Sequence, residues 1–295
     1  MPPESMIGRG LLGADRLIAT PDGRSLRAMV AGEGDDLVVL EAGLGMSGLY
    51  WGLVHHAISP HTRVVAYERA GFGASTPDAD QRDLARLADD LQTVIDAFPH
   101  RRLVLVGHSW GGPIVRTAAA TRLAQGKPVT GLVLVDQSDE HAADLYTSRT
   151  ARAADAVQRA LMAPLARLRL LAPLIRTQAA GLPAQLLDAV VASSSTIDAA
   201  KASVAELAHV ADELQRLRDH PLDLGGLLLT VISGQQHTRL DRGIRARIVQ
   251  AHRDTAARHP GARFVTAERS GHLIPISEPE LIASEALSLL HQRRN

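Results

Sequence analysis

Six short and nearly continuous apolar runs recur along the chain, and most of them end at glycine or at polar residues. The runs cover residues 36–40, 63–67, 102–106, 131–135, 227–232 and 262–266. Strands that are apolar on both faces are typical of a parallel sheet covered by helices on both sides. Between two of these runs, residues 83–98 repeat apolar side chains every three or four positions, as an amphipathic helix does. This alternation predicts an α/β fold with a doubly wound sheet.

Two further apolar segments precede the first run. Residues 16–19 and 26–31 flank the sequence Pro21-Asp22-Gly23, which favours a tight turn. They predict an antiparallel pair of strands at one edge of the sheet.

The stretch from residue 138 to residue 224 has no strand pattern and contains helical segments interrupted by proline and glycine. A connection of this length is unusual inside a compact sheet. We expect a helical cap at 138–224, inserted over the carboxyl ends of the strands, where open α/β sheets bind ligands. The core then consists of residues 1–137 and 225–295. The alternative is a pair of ordinary crossover helices joined by a long loop.

Composition narrows the class of protein. The chain has 295 residues, with 32 Lys and Arg against 32 Asp and Glu, so its formal net charge is zero and no nucleic-acid partner is expected. It has no cysteine, which excludes disulfides, zinc–thiolate sites and a thiol nucleophile. Neither a spanning apolar stretch nor a signal-peptide pattern is evident, so we expect a cytoplasmic protein without a membrane partner.

The pentapeptide Gly107-His108-Ser109-Trp110-Gly111 lies between the run 102–106 and a predicted helix at 113–123. A serine in such a sharp strand-to-helix turn adopts a strained backbone that requires very small residues two positions before and after it. The turn would expose the Ser109 hydroxyl at the end of the sheet, beside the positive end of the helix. Phosphate-binding loops are also rich in glycine, but residues 107–112 contain neither their GxGxxG pattern nor their GK[ST] pattern.

With this turn in place, the chain resembles the α/β-hydrolase family, in a form with a cap, over nearly its whole length. The segment 67–75 also resembles a family motif, with Glu68 in place of the usual aspartate, and we expect it to tie loops near the site together. The resemblance implies an eight-stranded, mostly parallel sheet flanked by helices, with the cap after strand 6. It also implies a Ser–acid–His triad and hydrolysis without a cofactor or a metal.

The base and the acid are chosen from several candidates. Ser109 needs a base, and His272 follows the last predicted strand in a segment that resembles the family's late Ser-Gly-His motif. His108, inside the elbow, is expected to pack or to hydrogen-bond locally. The usual acid position after the run 227–232 has no carboxylate before Asp241. Asp136 directly follows the run 131–135, which is the acid position of a family variant that has its acid after strand 6. We therefore predict Asp136, with Asp241 as the alternative.

The resemblance also suggests an oxyanion hole. Trp110, directly after the nucleophile, would supply one backbone N–H, and Leu44 in the glycine-rich loop 42–48 would supply the second. A plain glycine turn is the alternative for that loop.

These residues predict a carboxylic ester hydrolase (EC 3.1.1 type) that cleaves a small, largely apolar ester, thioester or lactone through an acyl-enzyme on Ser109. Family members that act on epoxides or haloalkanes use an aspartate nucleophile, which Ser109 argues against. The alternatives are cofactor-free C–C hydrolase, perhydrolase, haloperoxidase or lyase chemistry, or a non-catalytic ligand-binding protein. An interaction protein is favoured only by the arginine-rich segment 149–176, whose composition is typical of a solvated face. The sequence does not determine the oligomeric state.

Overall fold

A single mixed sheet organises the protein, whose structure is a computed structural model that describes residues 6–292. Its nine strands lie in the order β1-β2-β3-β5-β4-β6-β7-β8-β9. Their bounds are β1 (Met6–Gly10), β2 (Gly13–Ala19), β3 (Ser25–Ala31), β4 (Asp36–Glu41), β5 (Arg63–Tyr67), β6 (Arg102–His108), β7 (Gly131–Val135), β8 (Leu228–Gly234) and β9 (Arg263–Ala267).

The sheet is parallel from β5 through β9 and antiparallel at the edge formed by β1, β2 and β3. The predicted α/β-hydrolase sheet is thereby confirmed, including the antiparallel pair. The eight strands expected are extended by the short edge strand β1, whose sequence has no alternation of apolar residues that would have revealed it.

Helices cover both faces of the sheet and fill the long connection after β7. Their bounds are α1 (Gly52–Ile58), α2 (Leu84–Asp96), α3 (Gly111–Ala124), α4 (Asp144–Thr147), α5 (Arg149–Arg167), α6 (Leu171–Gln178), α7 (Ala184–Ser194), α8 (Ile197–Asp219), α9 (Arg242–Arg258), α10 (Ile274–Ser277) and α11 (Pro279–His291). Among the helices of residues 6–292, none combines the length and the apolar character needed to cross a membrane.

The apolar strands are explained by two core clusters, one on each face of the sheet. Along β6, Leu103 and Leu105 join the cluster that contains α2 and α3, whereas Val104 and Val106 join the cluster that contains α1 and α11. Because successive side chains of a strand point to opposite faces, a strand between two helical layers must be apolar at every position. The same arrangement brings the carboxyl ends of β4, β6, β7 and β8 together at one edge of the sheet.

The connection between β7 and β8 contains the helices α4 to α8, and no β-strand forms within this described segment. It coincides with the segment predicted as a cap, whereas the division of the chain into core and cap stays a prediction.

Candidate active site

The turn at Ser109 has the geometry of a nucleophile elbow. β6 ends at His108, α3 begins at Gly111, and Ser109 between them has a φ of 53°. A Cβ atom on Gly107 would lie 2.3 Å from the carbonyl oxygen of Gly111, and a Cβ atom on Gly111 would lie 2.4 Å from that of Glu41. Only glycine fits at either position, so the two glycines make room for the turn. The left-handed Ser109 itself still costs about 1–3 kcal/mol of strain.

Asp136 and His272 are in direct contact, although 136 residues separate them. His272 Nδ1 lies 2.7 Å from Oδ2 of Asp136, which directly follows β7. Asp136 is 1% exposed, whereas the His272 side chain, in the loop after β9, is 46% exposed. A buried carboxylate that accepts from Nδ1–H leaves Nε2 unprotonated and able to take a proton.

Asp136 also accepts hydrogen bonds from a residue that the sequence did not single out. Arg245 of α9 places Nη1 2.6 Å and 2.9 Å from the two carboxylate oxygens, and the Gly234 N–H lies 3.0 Å from Oδ1. Burial alone would raise the pKa of Asp136, but the hydrogen bond from His272 and the nearby positive charges hold that pKa well below its usual range. The carboxylate is therefore ionised at neutral pH. No sequence pattern marks Arg245, one of several arginines on an amphipathic helix.

The alternative acid lies in a different environment. Asp241 is fully exposed at the start of α9, and it accepts hydrogen bonds from the backbone N–H and the hydroxyl of Thr238. It makes no hydrogen bond with His272 in the described part of the chain.

The loop after β4 lies against the elbow. A Cβ atom on Gly43 would approach both the Ser109 Cβ and His108 Nδ1 to 3.1 Å, which shows how close the two backbones are. Within residues 6–292, neither the Leu44 N–H nor the Trp110 N–H donates a hydrogen bond. Both N–H groups therefore remain available as donors, as an oxyanion hole requires, and the assignment of Leu44 and Trp110 to that role stays a prediction.

A buried arginine binds the backbone of this loop. Arg69 donates to the carbonyl oxygens of Ala42 and Gly43 at 2.7 Å and 2.8 Å, and it forms ion pairs with Glu41 and with Glu206 of α8. Arg69 and both glutamates are at most 1% exposed. The loop of the sheet and a helix of the long connection are therefore joined through one guanidinium group, whose planar fork suits several acceptors at once.

Glu68 connects the same two regions. Its carboxylate accepts hydrogen bonds from the hydroxyls of Ser47 at 3.0 Å and of Ser193 in α7 at 2.6 Å, and from the Ala74 N–H at 3.0 Å. These contacts correspond to the loop-tying expected of the segment 67–75.

His108 supports the loop that carries His272. Its ring stacks on Tyr50 with centroids 5.6 Å apart, and its Nε2 lies 2.8 Å from the backbone oxygen of His272. Burial lowers the pKa of His108 to about 3, so the ring is neutral and Nε2–H donates this bond.

A cavity of about 270 Å³ connects these groups; its lining includes Leu44, Tyr50, Ser109 and His272. No hydrogen bond joins the Ser109 hydroxyl to His272 within the described residues, although both border the cavity. An adjoining cavity of about 140 Å³ shares Leu44, Met46 and Gln178 with the first one and extends between α5 and α6.

One cluster outside this site has the residue types of a metal site. Potential ligand atoms of Asp139, Glu140 and His141 lie within 4.8 Å of one another. Glu140, however, forms a two-pronged ion pair with Arg116 at 2.7 Å and 2.5 Å, and Asp139 accepts from the Thr255 hydroxyl at 2.6 Å. The carboxylate oxygens of Asp139 and Glu140 are therefore already engaged by protein donors, one of them cationic.

Comparisons with known proteins agree with the fold. A family model described as "Alpha/beta hydrolase family" matches residues 37–285. A protein of Caulobacter vibrioides named "Putative carbamate hydrolase RutD" is 38% identical over 80 residues, which are 27% of this chain and 30% of that protein. The chain spans 18% to 43% of the length of the curated relatives it matches.

Two solved structures share the architecture at low sequence identity. An esterase from Thermogutta terrifontis has a TM-score of 0.70 and 18% identity, covering 94% of this chain and 97% of that one. A hydrolase from Pseudomonas aeruginosa has a TM-score of 0.61 and 23% identity, covering 94% and 98%. At these identities the likeness shows the fold alone.

Proposed function

The chain belongs to the alpha/beta hydrolase family, and from this premise we propose that it is a serine hydrolase acting on a small, largely apolar carboxylic ester, thioester or lactone. The observation that carries the proposal is the 2.7 Å hydrogen bond between Asp136 and His272 at the cavity that Ser109 lines. A buried acid, an imidazole and an elbow serine are the parts that acyl transfer requires.

In the proposed mechanism, Ser109 Oγ attacks the carbonyl carbon while His272 Nε2 takes the hydroxyl proton. The N–H groups of Leu44 and Trp110 donate to the oxygen that becomes negative, and Asp136 stabilises the imidazolium. His272 then gives the proton to the leaving group, and the acyl group remains on Ser109. Water then gives a proton to His272 and attacks the acyl carbon; the bond from that carbon to Ser109 Oγ breaks, His272 returns the proton to Oγ, and the carboxylic acid leaves. The hydrogen bond from Ser109 to His272 forms in the substrate complex, since such contacts are often long in free enzymes.

The helices α4 to α8 are proposed to act as a cap that shapes the substrate site. Gln178 of α6 borders the Ser109 cavity, and Met162 and Leu174 border the adjoining one. Apolar side chains dominate that second cavity, which favours an apolar acyl or alcohol group there.

A carbamate is a second candidate substrate, because the Caulobacter relative carries that name. Its carbonyl could be attacked by the same serine, so carbamates and esters with matched alcohol groups should be assayed side by side.

The test is labelling with a fluorophosphonate, followed by intact-protein mass spectrometry and assays on esters of increasing acyl length. We expect one adduct on the wild type, no adduct on Ser109→Ala, and turnover only by the wild type. Ser203→Ala is the matched control, because Ser203 borders the adjoining cavity but donates its hydroxyl to the Ala199 carbonyl oxygen at 2.7 Å; this variant should be labelled normally. Lack of labelling on folded wild-type protein would contradict an activated serine and favour a ligand-binding protein.

A further inference from the structure

The outer face of α5 is apolar although it is exposed. Val157, Leu161, Pro164 and Leu168 follow one another at intervals of four, three and four residues, which places them along one side of the helix. Val157 is 58% exposed, Leu161 49% and Leu168 69%. Four alanines of the same helix, Ala153, Ala154, Ala156 and Ala160, are also exposed. A helix on the outside of a globular protein normally has a polar outer face, whereas this apolar face is left uncovered by the part of the chain that the structure describes.

The segment that carries this apolar face is rich in arginine. Residues 149–178 contain six arginines and one acidic residue, although the whole chain is neutral. Three of the arginines are paired, Arg152 with Asp212, Arg159 with Asp155 and Arg176 with Asp188. Arg149, Arg167 and Arg169 are exposed and form no ion pair with any described residue.

Apolar and cationic residues alternate where α5 ends. Arg167, Leu168, Arg169 and Leu170 form the corner between α5 and α6, and Leu170 is 52% exposed. Arg169 has a φ of 59°, so the corner turns sharply through a left-handed residue.

We propose that this surface docks onto a lipid bilayer that contains anionic headgroups. The docking surface, here named the α5 surface, comprises Val157, Leu161, Leu168, Leu170 and the three unpaired arginines. Exposed aliphatic side chains bordered by arginines are the combination that holds a helix in the plane of a membrane interface. A second copy of the chain is a poorer occupant, because a symmetric contact would bring the unpaired arginines of both copies together. A nucleic acid would use the arginines but would leave the aliphatic face in water.

A residue that follows the α5 surface closely in the chain borders the cavity beside the candidate active site. Leu174 of α6 is 51% exposed and also borders the cavity that adjoins the Ser109 cavity. Docking would therefore bring the part of this cavity that Leu174 borders close to the acyl chains of the bilayer. A bilayer-borne ester as substrate is a consequence that rests on the proposed function, whereas the docking itself does not.

The test is co-sedimentation of the full chain with vesicles at low salt, using phosphatidylcholine alone or mixed with phosphatidylglycerol. Wild type and Ser109→Ala should both bind the mixed vesicles and not the neutral ones. A failed catalytic proposal would then remove turnover and leave this binding intact. Since each surface cation contributes about fivefold in partitioning, Arg167→Gln/Arg169→Gln should bind about 30-fold more weakly. Leu161→Gln/Leu168→Gln should bind at low salt but be released by moderate salt, since screening removes the remaining attraction.

A matched control carries the same residue types elsewhere on the surface. Leu240 is 97% exposed and lies between the exposed residues Arg239 and Arg242. The variant Arg239→Gln/Leu240→Gln/Arg242→Gln should bind as wild type does, and all variants should keep the wild-type melting temperature. The proposal is overturned if the wild type does not bind anionic vesicles at low salt, or if the control variant loses as much vesicle binding as the α5 variants do. It is also overturned if the protein is a dimer in solution that Leu161→Gln/Leu168→Gln dissociates without any effect on vesicles.

Discussion

Replacement of Asp136 by asparagine tests the proposed triad most directly, because the substitution keeps the shape of the side chain. The amide oxygen of asparagine can still accept a hydrogen bond from Arg245. The amide NH2 group is then turned toward His272 Nδ1, where Oδ2 of Asp136 lies in the wild type at 2.7 Å. Nδ1 must then accept a hydrogen bond, which moves the ring proton to Nε2. A protonated Nε2 cannot accept the Ser109 proton, so we expect kcat for esters to fall about 10³–10⁴-fold with little change in KM.

Stability must be measured alongside activity, because the substitution also removes the charge opposite Arg245. The Arg245 side chain is 10% exposed, and an ion of this kind without its partner typically costs about 3–5 kcal/mol of unfolding free energy. The double variant Asp136→Asn/Arg245→Met removes the uncompensated charge and should recover part of that stability. The Gly234 N–H, 3.0 Å from Oδ1, still holds the amide oxygen away from His272 in the double variant. If the wrong tautomer causes the loss of turnover, the double variant therefore stays inactive; if instability causes it, activity returns.

The assay is steady-state hydrolysis of a chromogenic ester, with urea unfolding of the same samples. Asp241→Asn is the matched control, since Asp241 is fully exposed and bonded to Thr238. Its activity should stay within about twofold of wild type, because surface substitutions change free energies by only about 0.5 kcal/mol. A folded Asp136→Asn enzyme with near-wild-type kcat would refute the role of Asp136. If Asp241→Asn produced the large loss instead, Asp241 would be the acid.

Three further predictions concern buried residues of the site and of the fold. Glu206→Gln should lower kcat by a factor about 10-fold larger than the factor by which it raises KM. Arg69 then holds the Ala42 and Gly43 carbonyl oxygens less firmly, so the oxyanion donors shift. Steady-state kinetics checks this, and equal changes in both constants would contradict it. Gly107→Ala should abolish fluorophosphonate labelling and lower the melting temperature, because its Cβ would meet the Gly111 carbonyl oxygen at 2.3 Å, whereas Gly243→Ala, with open space around it, should do neither. Buried His55 and His108 have pKa values lowered to about 4 and about 3, so the unfolded chain takes up their protons first as the pH falls below 6.5. The unfolding free energy should therefore fall by about 1 kcal/mol per pH unit for each histidine between pH 6.5 and 5, because an unfolded histidine is only half protonated at pH 6.5. His55→Leu should remove about half of that slope in urea titrations.

Local sterics and periodicity allowed much of this protein to be predicted from its sequence. The strands could be found because a central parallel strand is buried on both faces, as Leu103 and Val104 on opposite sides of the sheet illustrate. The turn at Ser109 could be found because only glycine fits at positions 107 and 111 once a serine between them is left-handed. These are constraints between neighbours in the chain, so the residue types themselves carry them. The short strand β1 was not predicted, because an edge strand does not need the continuous apolar run of a strand that is buried on both faces.

Contacts between distant parts of the chain were decided by the tertiary structure alone. Both Asp136 and Asp241 are compatible with the sequence pattern, but only Asp136 is placed against His272, because β7, β8 and β9 are adjacent and end at the same edge of the sheet. Arg245 and Glu206 gain their partners in the same way, across 109 and 137 residues of chain respectively. Charged side chains are common along any helix, and their sequence does not say which of them folding will bury. An ion pair in the interior exists only once the surrounding packing has excluded water from both partners.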